Sequence, residues 1–162
     1  MDNIDRSEGR EPALLIPALA GFYDIARDLS WLVVRLTIGG MLLVHGIQKL
    51  TLGTIAGFAA NSLARRGIEP SVPLAYAVFF LETVGALCII FGLFTRVFAL
   101  AIGIQFLLIT FNAHFGEGFK DFAWNRQGGG WEYPLFWGLI WVAIGLRGGG
   151  PYSLDRKLGR EF

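Results

Sequence analysis

One acidic residue stands alone in a long apolar run. Glu82 sits near the middle of VPLAYAVFFLETVGALCIIFGLF, residues Val72–Phe94, a stretch with no other charge. At a rise of 1.5 Å per residue its carboxyl is about 15 Å from either end, too deep for a glutamate side chain to reach headgroups. A charge at that depth costs roughly 3 kcal/mol on insertion scales, so the acid must be neutral, paired or turned toward a polar interior. Intramembrane acids move protons, bind ligands or fix helix register.

The candidate partners lie on an earlier apolar run that carries Arg35, His45, Gln48 and Lys49. At roughly 100° per residue, Arg35, His45 and Lys49 fall within an arc of about 80°, a polar stripe that should face protein. Glu82 lies at a depth between Arg35 and His45 on an antiparallel run, so either could pair with it. Paired with Arg35 it stays ionised; buried without a cation it is a neutral proton donor. Arg35 taken alone reads as a structural ion-pair partner, or as a side chain that reaches the inner interface. Glu132, just before Pro134, suits the first turn of a helix, where its charge favours the dipole. Its depth also places it near His45, Lys49 and His114. Two histidines and a carboxylate could hold a metal or haem, but no H-x-x-H, H-E-x-x-H or C-x-x-C-H spacing is present, so neither is expected.

Four runs are long enough to position these groups across a bilayer: Leu29–Leu50, Val72–Phe94, Arg96–His114 and Trp131–Arg147. The very short joint at Thr95–Arg96 forces the second and third to be antiparallel neighbours. The expected fold is all-α, an integral membrane four-helix bundle with interfacial amphipathic helices. Residues 1–28 read as an N-terminal tail containing one such helix, residues 29–147 as the membrane domain, and residues 148–162 as a C-terminal tail. Ala18–Leu29 has Leu19, Phe22, Ala26 and Leu29 at helical spacing. Thr54–Arg66 has Ile55, Phe58, Ala59, Ser62 and Leu63 on one stripe, with Thr54 as cap and Gly67 as stop. Phe119, Phe122 and Trp124, in the connection Phe115–Gln127, suit an interfacial belt or a lid over a lipid-soluble ligand.

Composition agrees. The chain has 162 residues, is 54% hydrophobic and has mean hydropathy +0.52, with only 17% charged residues against about 25% in soluble domains. A net charge of +1 argues against a nucleic-acid surface. The single cysteine, Cys88, excludes an internal disulfide and dithiol chemistry. The acidic, basic and proline-containing start is unlike a secretory signal. Eight basic residues fall on the side of the termini and five on the other, with Arg35 inside a span. Both termini are therefore expected in the cytoplasm.

Together, Arg35-x9-His45-Gly46-x-x-Lys49-Leu50, Glu82-x-x-Gly85 leading to Gly92-Leu93-Phe94-Thr95-Arg96, Glu132, and Gly149-Gly150-Pro151-Tyr152-Ser153-Leu154-Asp155 resemble the DoxX family of small four-helix membrane proteins. The resemblance covers about residues 30–158. It implies a bacterial-type inner-membrane protein, related to the small membrane subunit of a thiosulfate:quinone oxidoreductase, that helps pass electrons to quinone. The implied partners are the bilayer, a redox protein and further copies of the chain. On that reading His45 or Lys49 donates to a quinone oxygen, Glu82 relays protons with Arg35 tuning it, and Glu132 completes the polar cluster. The alternatives are a non-catalytic anchor for a redox enzyme and a small-solute or proton pathway.

Overall fold

The computed structural model describes residues 14–114, 118–125, 127 and 129–161, except for the side chains at 113, 114, 118 and 119. All of its regular structure among the described residues is helical. Helix α1 is Ala20–Thr51, entered through a single turn of 3₁₀ helix at Pro17–Leu19. Its 32 residues give a length of about 48 Å. The short amphipathic α2 (Ile55–Phe58) continues through Ala59–Leu63 and Ala64–Arg66. Helix α3 (Ser71–Phe91) is broken into α, π and α stretches at Leu81–Gly85. Helix α4 (Thr95–Ile109) ends in a π turn, Thr110–His114. Helix α5 (Glu132–Arg147) packs along α4, and the short α6 (Leu154–Leu158) folds back on the bundle.

Among the described residues, three helices are long and apolar enough to cross a membrane: Pro17–Thr51, Ser71–Phe91 and Thr95–Asn112. The fourth expected span is shorter. Helix α5 has 16 residues and a length of about 24 Å, because Trp131 belongs to the preceding loop and Gly148 ends the helix with a positive φ.

The N-terminal boundary also differs from expectation. Ala18–Leu29 is not a separate surface helix, since α1 runs through it without a break. Charges at Asp24, Arg27 and Asp28 end the apolar run, but none of these residues breaks a helix, and Asp24 and Arg27 form an exposed ion pair one turn apart at 3.9 Å. The second surface helix is present. The Thr54 hydroxyl accepts from Gly57 N at 2.9 Å, and Gly67 closes the segment in the left-handed region at φ 71°. Its expected stripe is the more buried side, with Ala59 fully covered.

The core holds Ile38 and Leu42 of α1, Ala86 and Ile89 of α3, Ala99 and Ile102 of α4, and Trp141 and Ile144 of α5. Helices α1 and α3 meet at glycine. A Cβ at Gly39 would lie 2.7 Å from Ile90 Cγ1, and one at Gly46 would lie 2.7 Å from the Glu82 carbonyl oxygen. Two glycines seven residues apart therefore let α1 lie directly on the backbone of α3, and Gly46 sits at the level of Glu82.

Candidate functional site

The Glu82 carboxylate is buried, and both its oxygens are bonded from other helices. Lys49 Nζ on α1 donates to Oε2 and forms an ion pair with it. Gln105 Nε2 on α4 donates to Oε1 at 2.9 Å. The side-chain exposures are 14% for Lys49 and 7% for Glu82, so the pair is closed to solvent except at the lysine end. There the ammonium lies 4.8 Å from the centre of the Phe58 ring, a cation–π contact that caps the pair with α2.

Glu82 lies in the π turn Leu81–Gly85. A π turn adds one residue to the helix, advances the side chains around its axis and frees a backbone carbonyl. The Thr83 hydroxyl donates to Phe79 O at 2.6 Å, one turn back.

Neither Arg35 nor His45 bonds the acid, which corrects the expected pairing. Side chains on a helix lean toward its N-terminus. Glu82 on α3 therefore leans toward the end of the bundle where Lys49 lies, while Lys49 on the antiparallel α1 leans back to meet it. Arg35 leans the opposite way. It is fully buried at the other end, where Nη2 donates to the Tyr152 carbonyl and the charge of Asp155 faces it. Its Nε and Nη1 have no hydrogen-bond partner among the described residues.

His45 is exposed. It lies about 80° around α1 from Arg35, at the edge of the stripe rather than its centre. It stands at the mouth of a narrow cleft walled by Met41, Phe106, Tyr133, Trp137 and Trp141. Glu132 does not join Lys49. Its Oε2 accepts from Trp124 N at 3.3 Å, while its own N donates to Phe122 O at 3.0 Å, so it ties the preceding loop to the first turn of α5. In that loop Phe122 meets Trp131 edge-on at 4.7 Å. The His114 side chain, Phe115, Glu117, the Phe119 side chain and Arg126 lie outside the described residues.

A second polar cluster closes the Arg35 end. Asp155 is 1% exposed and accepts from Phe94 N at 2.8 Å, Thr95 N at 3.0 Å and Thr95 Oγ1 at 2.8 Å. Its carboxylate thus caps α4, an arrangement the helix dipole favours. The α3–α4 turn needs that support, because Phe94 has φ 49°, a strained value for an aromatic residue. Gly92, at φ 68°, cannot be replaced freely, since a Cβ would collide with Arg35 and Ser153. Arg96 binds Glu161 at 2.7 Å and the last carbonyls of α5, and Trp31 Nε1 donates to Gly148 O at 3.0 Å. Residues 148–161 are therefore a docked closure, not a free tail.

Gln105 was not anticipated. The short α3–α4 turn held the signal: Glu82 and Gln105 lie at nearly equal distances along the chain from Leu93, and an antiparallel hairpin brings such residues level. Gln105 is the only amide in its apolar run before Asn112.

A family model described as DoxX matches residues 30–115, more than half of the chain. No curated protein and no solved structure matches. The matched segment holds Arg35, His45, Lys49, Glu82 and Gln105, while Glu132, Trp141 and the C-terminal closure lie beyond it. With apolar helices of spanning length around a buried ion pair contributed by that same segment, the chain is a membrane-embedded protein that belongs to the DoxX family.

Proposed function

We propose that this protein is an inner-membrane subunit of a bacterial redox assembly that works with quinone, with both termini in the cytoplasm. One observation carries the reading: the two residues that hold a buried carboxylate from other helices are near neighbours along the chain of residues lining an aromatic cleft that also holds a histidine. Lys49 is one turn from His45 on α1, and Gln105 adjoins Phe106, a wall of the cleft.

The walls suit an apolar ring. Phe106, Tyr133, Trp137 and Trp141 offer aromatic faces, and His45 offers a ring N–H at the mouth. The free space is about 10 Å³, one water's worth, so a ring enters only when Met41 and Tyr133 swing aside. Both are about half exposed and have room to move. Quinone, when bound, supplies the two-electron acceptor. His45 orients it by donating to a carbonyl oxygen. Glu82 serves as the proton relay, with Lys49 and Gln105 holding its carboxylate in place. Electrons come from a partner protein, since Cys88 is a lone thiol.

Gently purified protein should retain quinone or reduce an added analogue with its donor present, and Glu82→Gln should lower turnover while leaving quinone retention intact. Unchanged turnover in that variant removes the proton role.

A second reading has its own support. Both Glu82 oxygens are already bonded, as in an ion pair that only fixes register. The protein would then be a non-catalytic anchor for a redox enzyme. Glu82→Gln and His45→Ala would reduce stability or partner capture with no separate kinetic effect.

A further inference from the structure

Trp141 is fully buried, yet its indole Nε1 has no acceptor among the described residues. A buried N–H without a partner is rare in a native protein and marks a group awaiting one. Trp141 is also a wall of the α1–α5 cleft. At the mouth of the same cleft His45 is exposed at mid-bundle depth and makes no hydrogen bond among the described residues. Two side chains whose donors are unpartnered among the described residues thus line one mainly apolar slot.

Water alone serves the inner donor poorly. A buried water needs two to four polar partners, and the walls around Trp141 are mainly apolar: Ile38, Leu42, Phe106 and Trp137. An acceptor oxygen carried on an apolar body satisfies the N–H without that demand. The aromatic walls favour a flat body, and the exposed mouth lets it enter from the lipid phase.

We propose that Trp141 is a ligand-binding residue: its Nε1–H donates to a carbonyl oxygen of a membrane-soluble ring molecule seated in the cleft, while His45 receives the ring's other polar end. The inference rests on the quinone reading above and extends it to a named inner donor. Trp141 lies outside the segment matched by the family model. A phospholipid ester carbonyl has the same acceptor chemistry, and the test separates the two.

The probe is decylubiquinone labelled with ¹³C at its carbonyls, added to the purified full chain in detergent micelles and followed by binding titration and infrared difference spectroscopy. The wild type should bind it and show a carbonyl band lowered by hydrogen bonding. Trp141→Phe, which keeps the ring but removes the donor, should weaken binding about tenfold and return that band toward its free position. Met41→Trp, at a half-exposed wall of the cleft, should block the mouth and abolish binding, which keeps the test open if Trp141→Phe folds poorly; binding unchanged in that variant overturns the cleft as the seat. A parallel sample holds ¹³C-ester phosphatidylethanolamine and no quinone. A lowered, Trp141-dependent band there, with none for quinone, overturns the ring assignment in favour of a lipid seat. Wild-type binding with affinity and band unchanged in Trp141→Phe overturns the role of Trp141 and leaves the quinone reading standing. No binding to the wild type overturns both.

Discussion

The Lys49–Glu82 pair should respond unequally to loss of its two members. Breaking a buried pair by removing one partner costs about 3–5 kcal/mol, because the other charge is stranded. The two ends are not equally stranded. Lys49 is the more exposed, near the end of α1 and under the ring of Phe58, and its flexible stem can carry the ammonium to the interface. Glu82 is deeper and tied to a π turn, and without Lys49 it keeps only the Gln105 amide. Lys49→Met should therefore cost about 3–5 kcal/mol, and Glu82→Gln about 1–3 kcal/mol. The double variant Lys49→Met/Glu82→Gln strands no charge and should lie near the milder single variant, giving a coupling of about 3–5 kcal/mol, the whole cost of Lys49→Met alone. Equilibrium unfolding in mixed micelles of the four proteins measures all three quantities. Additive single effects, or a Glu82→Gln cost equal to or above that of Lys49→Met, would refute the geometry argued for this pair.

Asp155→Ala leaves two backbone N–H groups and the Thr95 hydroxyl without their acceptor and removes the charge facing Arg35, so it should destabilise the protein by about 3–5 kcal/mol. The same unfolding measurement checks it, and a loss below about 1 kcal/mol would show that the turn is held by other means. Phe58→Ala uncovers the lysine end of the pair. A water-soluble amine reagent should then modify Lys49 severalfold faster relative to the exposed Lys120, as read by peptide mass spectrometry. An unchanged ratio would mean that the Phe58 ring does not limit access.

Much of this architecture is legible in the chain because it depends on local chemistry. The Thr54 cap and Gly67 stop need only their own turns. The antiparallel α3–α4 pair follows from a joint too short for anything else. Partner choice was less legible. Reading depth from Cα positions alone placed Glu82 between Arg35 and His45, whereas the lean of helical side chains brings Lys49 to it and sends Arg35 away. The role of Gly149–Asp155 was hidden for another reason. Its contacts, Asp155 with Thr95 and Tyr152 with Arg35, join residues 60 and 117 positions apart, and no local pattern marks such pairs. Glu132 behaved as a helix-start residue because one turn of helix and one loop satisfy it.

The docked C-terminal segment also bears on how the protein is made. Arg35 enters the membrane with α1, but the carbonyl of Tyr152 is translated 117 residues later, and the carboxylate of Asp155 later still. Helices α3, α4 and α5 therefore insert around a guanidinium whose counter-charge has not yet been translated, and the site closes only after α6 has emerged.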